Sequence, residues 1–153
     1  MKKVFALLFV LASVSLAWAG EIRLTEEKFM TWVQAQHIEG FEADAESLEN
    51  YMDQEFTIDF MSTSAPTHLS IKVSGSDEMA GFKADVTELS ALEEGTVGGA
   101  KSLYCVMKAM PNVSLMFVEL PVIDGELRLL TSPKKSMDEM KAILAGLDLK
   151  ALN

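Results

Sequence analysis

The chain has 153 residues, 49% of them apolar, with 13 Lys and Arg against 23 Asp and Glu for a net charge of −10. That length and apolar content exclude a chain disordered by composition and point to one globular domain. The acidity argues against nucleic acid and anionic membranes, which need a basic face, and a single Cys excludes an internal disulfide framework and a cysteine-rich zinc site.

Residues 1–19 read as a secretory leader. Lys2 and Lys3 form a positive start, residues 4–16 an apolar run broken only by Ser13 and Ser15, and Ala17-Trp18-Ala19 a small-x-small cleavage site. The run is too short for a membrane anchor, and no second apolar stretch is long enough to span a bilayer. Cleavage before Gly20 removes Lys2 and Lys3 and no acid, so the remaining 134 residues carry −12. Residues 20–153 are expected to form a single α+β domain, exported to the periplasm or beyond.

Within that domain, Thr25 reads as a helix N-cap, with Leu24 and Phe29 as a hydrophobic staple. Phe29, Trp32 and Val33 then share one helical face, and Gly40 ends the segment. A second helix is expected over 42–53, where Phe41, Ala45, Leu48 and Met52 form an apolar stripe beside Glu42, Glu46, Glu49 and Asp53. Period-two alternation follows: Phe56, Ile58 and Phe60, then Leu69, Ile71 and Val73, with His68, Ser70, Lys72 and Ser74 opposite. This predicts an antiparallel pair with one wet face. Residues 75–99 give no clear period. Leu103, Val106, Met107 and Met110 restore the helical spacing, and Pro111 stops it. A strongly apolar strand is expected over 113–122, a turn at Asp124-Gly125 and a returning strand over 126–131. Ser136 and Glu139 form a capping box, and Met140, Ile143, Leu144 and Leu147 give the final helix its apolar face.

The expected fold is therefore a mostly antiparallel sheet of about four or five strands packed by helices. The order helix then hairpin recurs over 42–74 and 100–132, which suggests two repeats. At an offset of 55, Ser47, Leu48, Met52 and Met61 fall on Ser102, Leu103, Met107 and Met116.

Few residues carry chemistry. The segment Gly95-Thr96-Val97-Gly98-Gly99-Ala100-Lys101-Ser102 misses the phosphate-binding loop pattern at Ala100, and no buried parallel strand precedes it; it reads as a glycine-rich loop entering a helix. On that helix Lys101 and Lys108 would flank Cys105 and favour its thiolate, although free Cys is more often a packed, inert residue. Thioethers bind Cu(I), and Met107/Met110 and Met137/Met140 have the spacing to share a helix face, where they equally serve as core packing. Glu42, Glu46, Glu49 and Asp53 would form a like-charged stripe, either solvated or facing a basic partner. Glu119 and Arg128 fall on one sheet face, diagonal to each other. Only His37 and His68 offer imidazoles, and no nucleophile elbow or zinc-protease motif is present.

These residues favour a non-catalytic binding or interaction module over an enzyme. Apolar residues on both faces of 113–122 would expose a patch for a protein partner, an apolar ligand or a second copy unless other elements cover both. The alternative is a small exported enzyme or a thiol- or copper-handling protein using Cys105 and the methionines. No metal site or cofactor is expected.

Overall fold

In the computed structural model, described for residues 22–75 and 77–152, the chain builds a seven-stranded antiparallel sheet. The leader expected over 1–19 lies outside the described residues. In chain order the elements are α1 (Glu26–Ala35), β1 (Phe41–Tyr51), β2 (Glu55–Ser62), β3 (His68–Ser74), α2 (Glu78–Ala84), β4 (Leu89–Val97), β5 (Ala100–Met107), β6 (Ser114–Leu120), β7 (Gly125–Ser132) and α3 (Met137–Ala145), with 3₁₀ turns at Val86–Glu88 and Leu149–Leu152. The spatial order is β1-β2-β3-β7-β6-β5-β4. Two meanders, of three and four strands, therefore lie side by side with their last strands, β3 and β7, paired at the seam.

This corrects the expectation of four or five strands and two helix–hairpin repeats. The segments read as helices over 42–53 and 100–110 form β1 and β5, and the unreadable stretch supplies α2 and β4. Each error has a physical cause. The register of β1 against β2 shifts between Asp44 and Glu49. That bulge breaks the two-residue alternation, so Phe41, Ala45 and Leu48 mimic a helical stripe. The Ser47 hydroxyl holds the bulge: it donates to the Asp44 carbonyl at 2.6 Å and accepts from the Asp59 N–H at 2.8 Å. β5 misleads differently. Its Tyr104 and Val106 face one core and its Leu103 and Cys105 another, and a strand buried on both sides carries no period of two.

The glycine-rich segment is the β4–β5 hairpin. Val97 pairs with Ala100, and Gly98 and Gly99 turn between them with φ of +57° and +87°. A two-residue turn of this hand needs positive φ at both positions, which glycine supplies without strain. The phosphate-loop spacing thus reflects turn chemistry. The β6–β7 turn is longer than expected. Leu120 pairs with Gly125, so four residues, Pro121 to Asp124, make the connection. Gly125 is required for another reason: a Cβ there would sit 2.7 Å from the Ser74 carbonyl oxygen.

One face of the sheet, the inner face, is sealed by α1, α3 and the C-terminal turn. Phe29, Trp32 and Val33 of α1 and Met140 and Leu144 of α3 pack on Phe56, Ile58, Ile71, Met116, Val118 and Leu129. Thr25 caps α1 by accepting from the Lys28 N–H, and Ser136 and Glu139 complete the capping box on α3. The Trp32 indole N–H donates to the Asp148 carbonyl at 2.7 Å, tying α1 to the chain's end. Phe29 and Phe56 are fully buried with ring centroids 5.5 Å apart. Phe56→Ala is predicted to lower stability by about 3–5 kcal/mol, as large-to-small changes in a packed core do. Urea unfolding followed by fluorescence measures it, and a loss below about 1 kcal/mol would contradict this packing.

Candidate functional site

The other face, here the α2 face, is where sequence alternation places polar side chains, and it divides into two parts. Over β5, β6 and β7 it is apolar: Leu103, Cys105, Leu115, Phe117 and Leu130 are buried there with Met79 of α2. Phe82 of α2 packs its ring on Phe117, with centroids 5.1 Å apart. The patch expected on 113–122 is therefore covered on both sides, by the inner core and by α2.

At the β3–β7 seam the same face carries charge. Lys72 and Arg128 sit directly opposite each other across the two strands. Like charges in that position repel. The anion that joins them is Glu78, in the first turn of α2: one carboxylate oxygen lies 2.6 Å from Lys72 Nζ and the other 3.1 Å from Arg128 Nη1. Glu55 of β2 takes a second place on Lys72 at 2.6 Å. Lys72 is 1% exposed, so each carboxylate compensates a charge that water does not reach.

Glu126, one register step from Arg128, completes the cluster. It accepts a hydrogen bond from the Met79 N–H at 3.1 Å. Burial pushes its carboxyl up to about 7, assisted by Asp77 and Glu78, and its backbone hydrogen bonds only partly offset this.

Among the described residues, the part of this face over β1 and β2 has no helix on it. Glu42 pairs with Met61, Asp44 with Asp59 and Glu49 with Thr57, which brings these acids to one face. Asp59 also receives His68 Nε2 at 3.2 Å. Ser70 lies opposite Asp59, but its hydroxyl donates to the Ile58 carbonyl at 3.4 Å and is not turned to His68 as a nucleophile. Met61 is exposed beside these groups. Of the four acids grouped from sequence, Glu42 and Glu49 thus share a sheet face, Glu46 lies in the bulge, and Asp53 sits in the β1–β2 turn with φ +57°. Their common surface is an edge strand and not a helix. Acids there keep the unpaired edge from docking other strands.

The remaining sequence candidates are dispersed. Cys105 is fully buried, and burial pushes its thiol up to about 12, against a smaller opposing effect of Arg128. Lys101 is on the same strand four residues earlier, about 13 Å away at strand rise, and meets Glu119 at 3.4 Å. Lys108 lies past the end of β5 and donates to the Thr87 carbonyl. The two ammonium groups expected to flank the sulfur do not, because β5 is extended. Glu119 and Arg128 do lie diagonally on one face, yet they pair with Lys101 and Glu78 instead of each other. Met110 and Met140 are buried, Met110 in the cluster under α2 and Met140 in the inner core. Among the described residues no group of three or more His, Cys, Asp or Glu is placed to hold a metal ion.

The cluster of Glu55, Lys72, Glu78 and Glu126 was missed from sequence. The available signal was Lys72 and Arg128 on the polar faces of two predicted strands. Pairing those strands would have set them opposite and called for an anion.

No family model matches the sequence, and no curated protein matches it. Among solved structures the chain is similar to a mutant of the protein Mog1, at 15% identity over 74% of this chain and 78% of that one, with a TM-score of 0.34. A likeness this loose carries no argument about function. Among the described residues no helix is long and apolar enough to cross a membrane.

Lys72→Met is predicted to cost about 3–5 kcal/mol, because it leaves the half-buried Glu55 and Glu78 without the buried cation they share. Adding Glu55→Gln to that variant should recover part of the loss. Urea midpoints of the two single variants and the double decide it, and strictly additive losses would contradict the cluster.

Proposed function

We propose that this chain is an exported, non-catalytic binding module, and that its partner is a protein that meets the open acidic part of the α2 face. The observation that carries this reading is the one-signed surface over β1 and β2. Glu42, Asp44, Glu49 and Asp59 share it, and the chain has no Lys or Arg between Lys28 and Lys72. A surface of one sign steers association with the opposite sign and excludes like-charged partners. Exposed Met61 adds an apolar contact inside the charged rim, as binding surfaces commonly do. Export is supported by the leader pattern over residues 1–19, whose removal leaves the chain still more acidic.

The thiol-based alternative draws no support from the geometry around Cys105. Its sulfur is sealed, and a protonated thiol is a poor nucleophile and metal ligand. The His68–Asp59 pair has no activated hydroxyl beside it, so hydrolysis by these groups is not supported either.

Zero-length carbodiimide cross-linking in the protein's own host joins exposed carboxylates to partner amines. The expected result is a discrete adduct that is lost in the triple variant Glu42→Gln, Glu49→Gln, Asp59→Asn. An adduct that persists unchanged in the variant, or none in the parent, contradicts the assignment of this surface. N-terminal sequencing of the same sample is expected to begin at Gly20, and an uncut Met1 would contradict export by cleavage.

A further inference from the structure

The four charges that clamp α2 at the seam already balance. Lys72 and Arg128 supply two positive charges, and Glu55 and Glu78 two negative ones, within the ion-pair distances given above. Glu126 is a fifth group, 8% exposed and outside that balance. Every element packed around it brings charge or polarity to bear. From α2 and its cap come Glu78 and Asp77; from β6 comes Glu119, directly opposite in register; from β3 come Ser74, also directly opposite, and Lys72 one step along. On its own strand Arg128 is already held by Glu78, Glu55 of β2 is held by Lys72, and Lys101 of β5 is held by Glu119. Ionised Glu126 would therefore add a buried negative charge among four other carboxylates, with each nearby cation engaged. The backbone N–H groups of Met79 and Glu78 tie Glu126 to α2.

We propose that α2 is a flap: protonated Glu126 holds it against the sheet, and ionisation of Glu126 lifts it. Lifting returns Glu126 to water, where its negative charge is hydrated instead of buried. It also uncovers Phe117, on which Phe82 is packed, and opens the apolar cluster that Met79 shares with Leu103, Leu115 and Leu130. The inner face and its helices are not involved, and Glu55 of β2 and ionised Glu126 of β7 remain on the sheet to face Lys72 and Arg128 once Glu78 has left, so the sheet stays folded.

The direction follows from linkage. In the closed state Glu126 titrates at about 7, and in the open state at its ordinary 4.5. A carboxyl raised in the closed state contributes closure that is fully present below pH 4.5 and is lost as pH rises through 7. Between those values opening becomes about tenfold more favourable per pH unit, and above 7 it levels off. From pH 5 to pH 8 the open fraction should rise on the order of 50-fold.

Amide hydrogen exchange on the full chain tests this, with rates expressed as protection factors so that intrinsic base catalysis cancels. The Gly81 and Asp85 amides donate to the Asp77 and Gly81 carbonyls and report α2 directly. Their protection is expected to fall on the order of 50-fold from pH 5 to pH 8, and to stay constant with pH in Glu126→Gln, which keeps the acceptor without the charge. The sheet amides of Ile71 and Leu129 should show no such change in either protein. Equal slopes in the two proteins, a flat profile in the parent, or a parallel fall of the sheet amides would each overturn the proposal.

Discussion

Two cations set opposite each other in the middle of a sheet determine how this molecule is assembled. Lys72 and Arg128 come from different meanders and meet at the seam, where their repulsion would weaken the pairing of β3 with β7. Glu78 turns that repulsion into a three-point clamp by placing one oxygen on each cation. The clamp reinforces β3 with β7, which among the described residues is the one strand pairing between the two meanders, and it fixes α2 over the apolar strip of β5 to β7. A seven-residue helix is too short to persist by itself; ion pairs and the burial of Met79 and Phe82 keep it in place.

The rest of the α2 face follows from where the clamp stops. Under the helix the side chains are apolar and sealed, and Cys105 is an inert thiol because it belongs to that cluster. Beyond it, over β1 and β2, none of the described residues covers the sheet, and its surface is acidic. The same acids act twice: they discourage strand addition along the β1 edge, and they give the open surface one sign. That asymmetry sets the open acidic surface apart from the inner face, which helices close.

Much of the sheet was legible in the sequence. Strict alternation marked β2 and β3, and the apolar run and turn marked β6 and β7. The capping box at Ser136 located α3 to within a residue. Local periodicity failed at β1, where a bulge held by Ser47 changes the phase, and at β5, whose two buried faces leave no wet side to alternate with. The candidate site was less legible because its parts are distant. Lys72 and Arg128 were each readable as polar strand positions, but Glu78 comes from a short helix with no period, and only the non-local pairing of β3 with β7 gives the three a reason to meet. The expected thiol site failed for the same reason in reverse: Lys101, Cys105 and Lys108 are neighbours on a helix and well separated on a strand.

The clamp is tested most directly by a double-mutant cycle between Glu78→Gln and Arg128→Met, read from urea unfolding. Groups in one buried ion network couple by about 0.5–3 kcal/mol, and a coupling of at least 1 kcal/mol is predicted here. Coupling near zero would mean that Glu78 does not bridge the seam, and would contradict the account of how α2 is held.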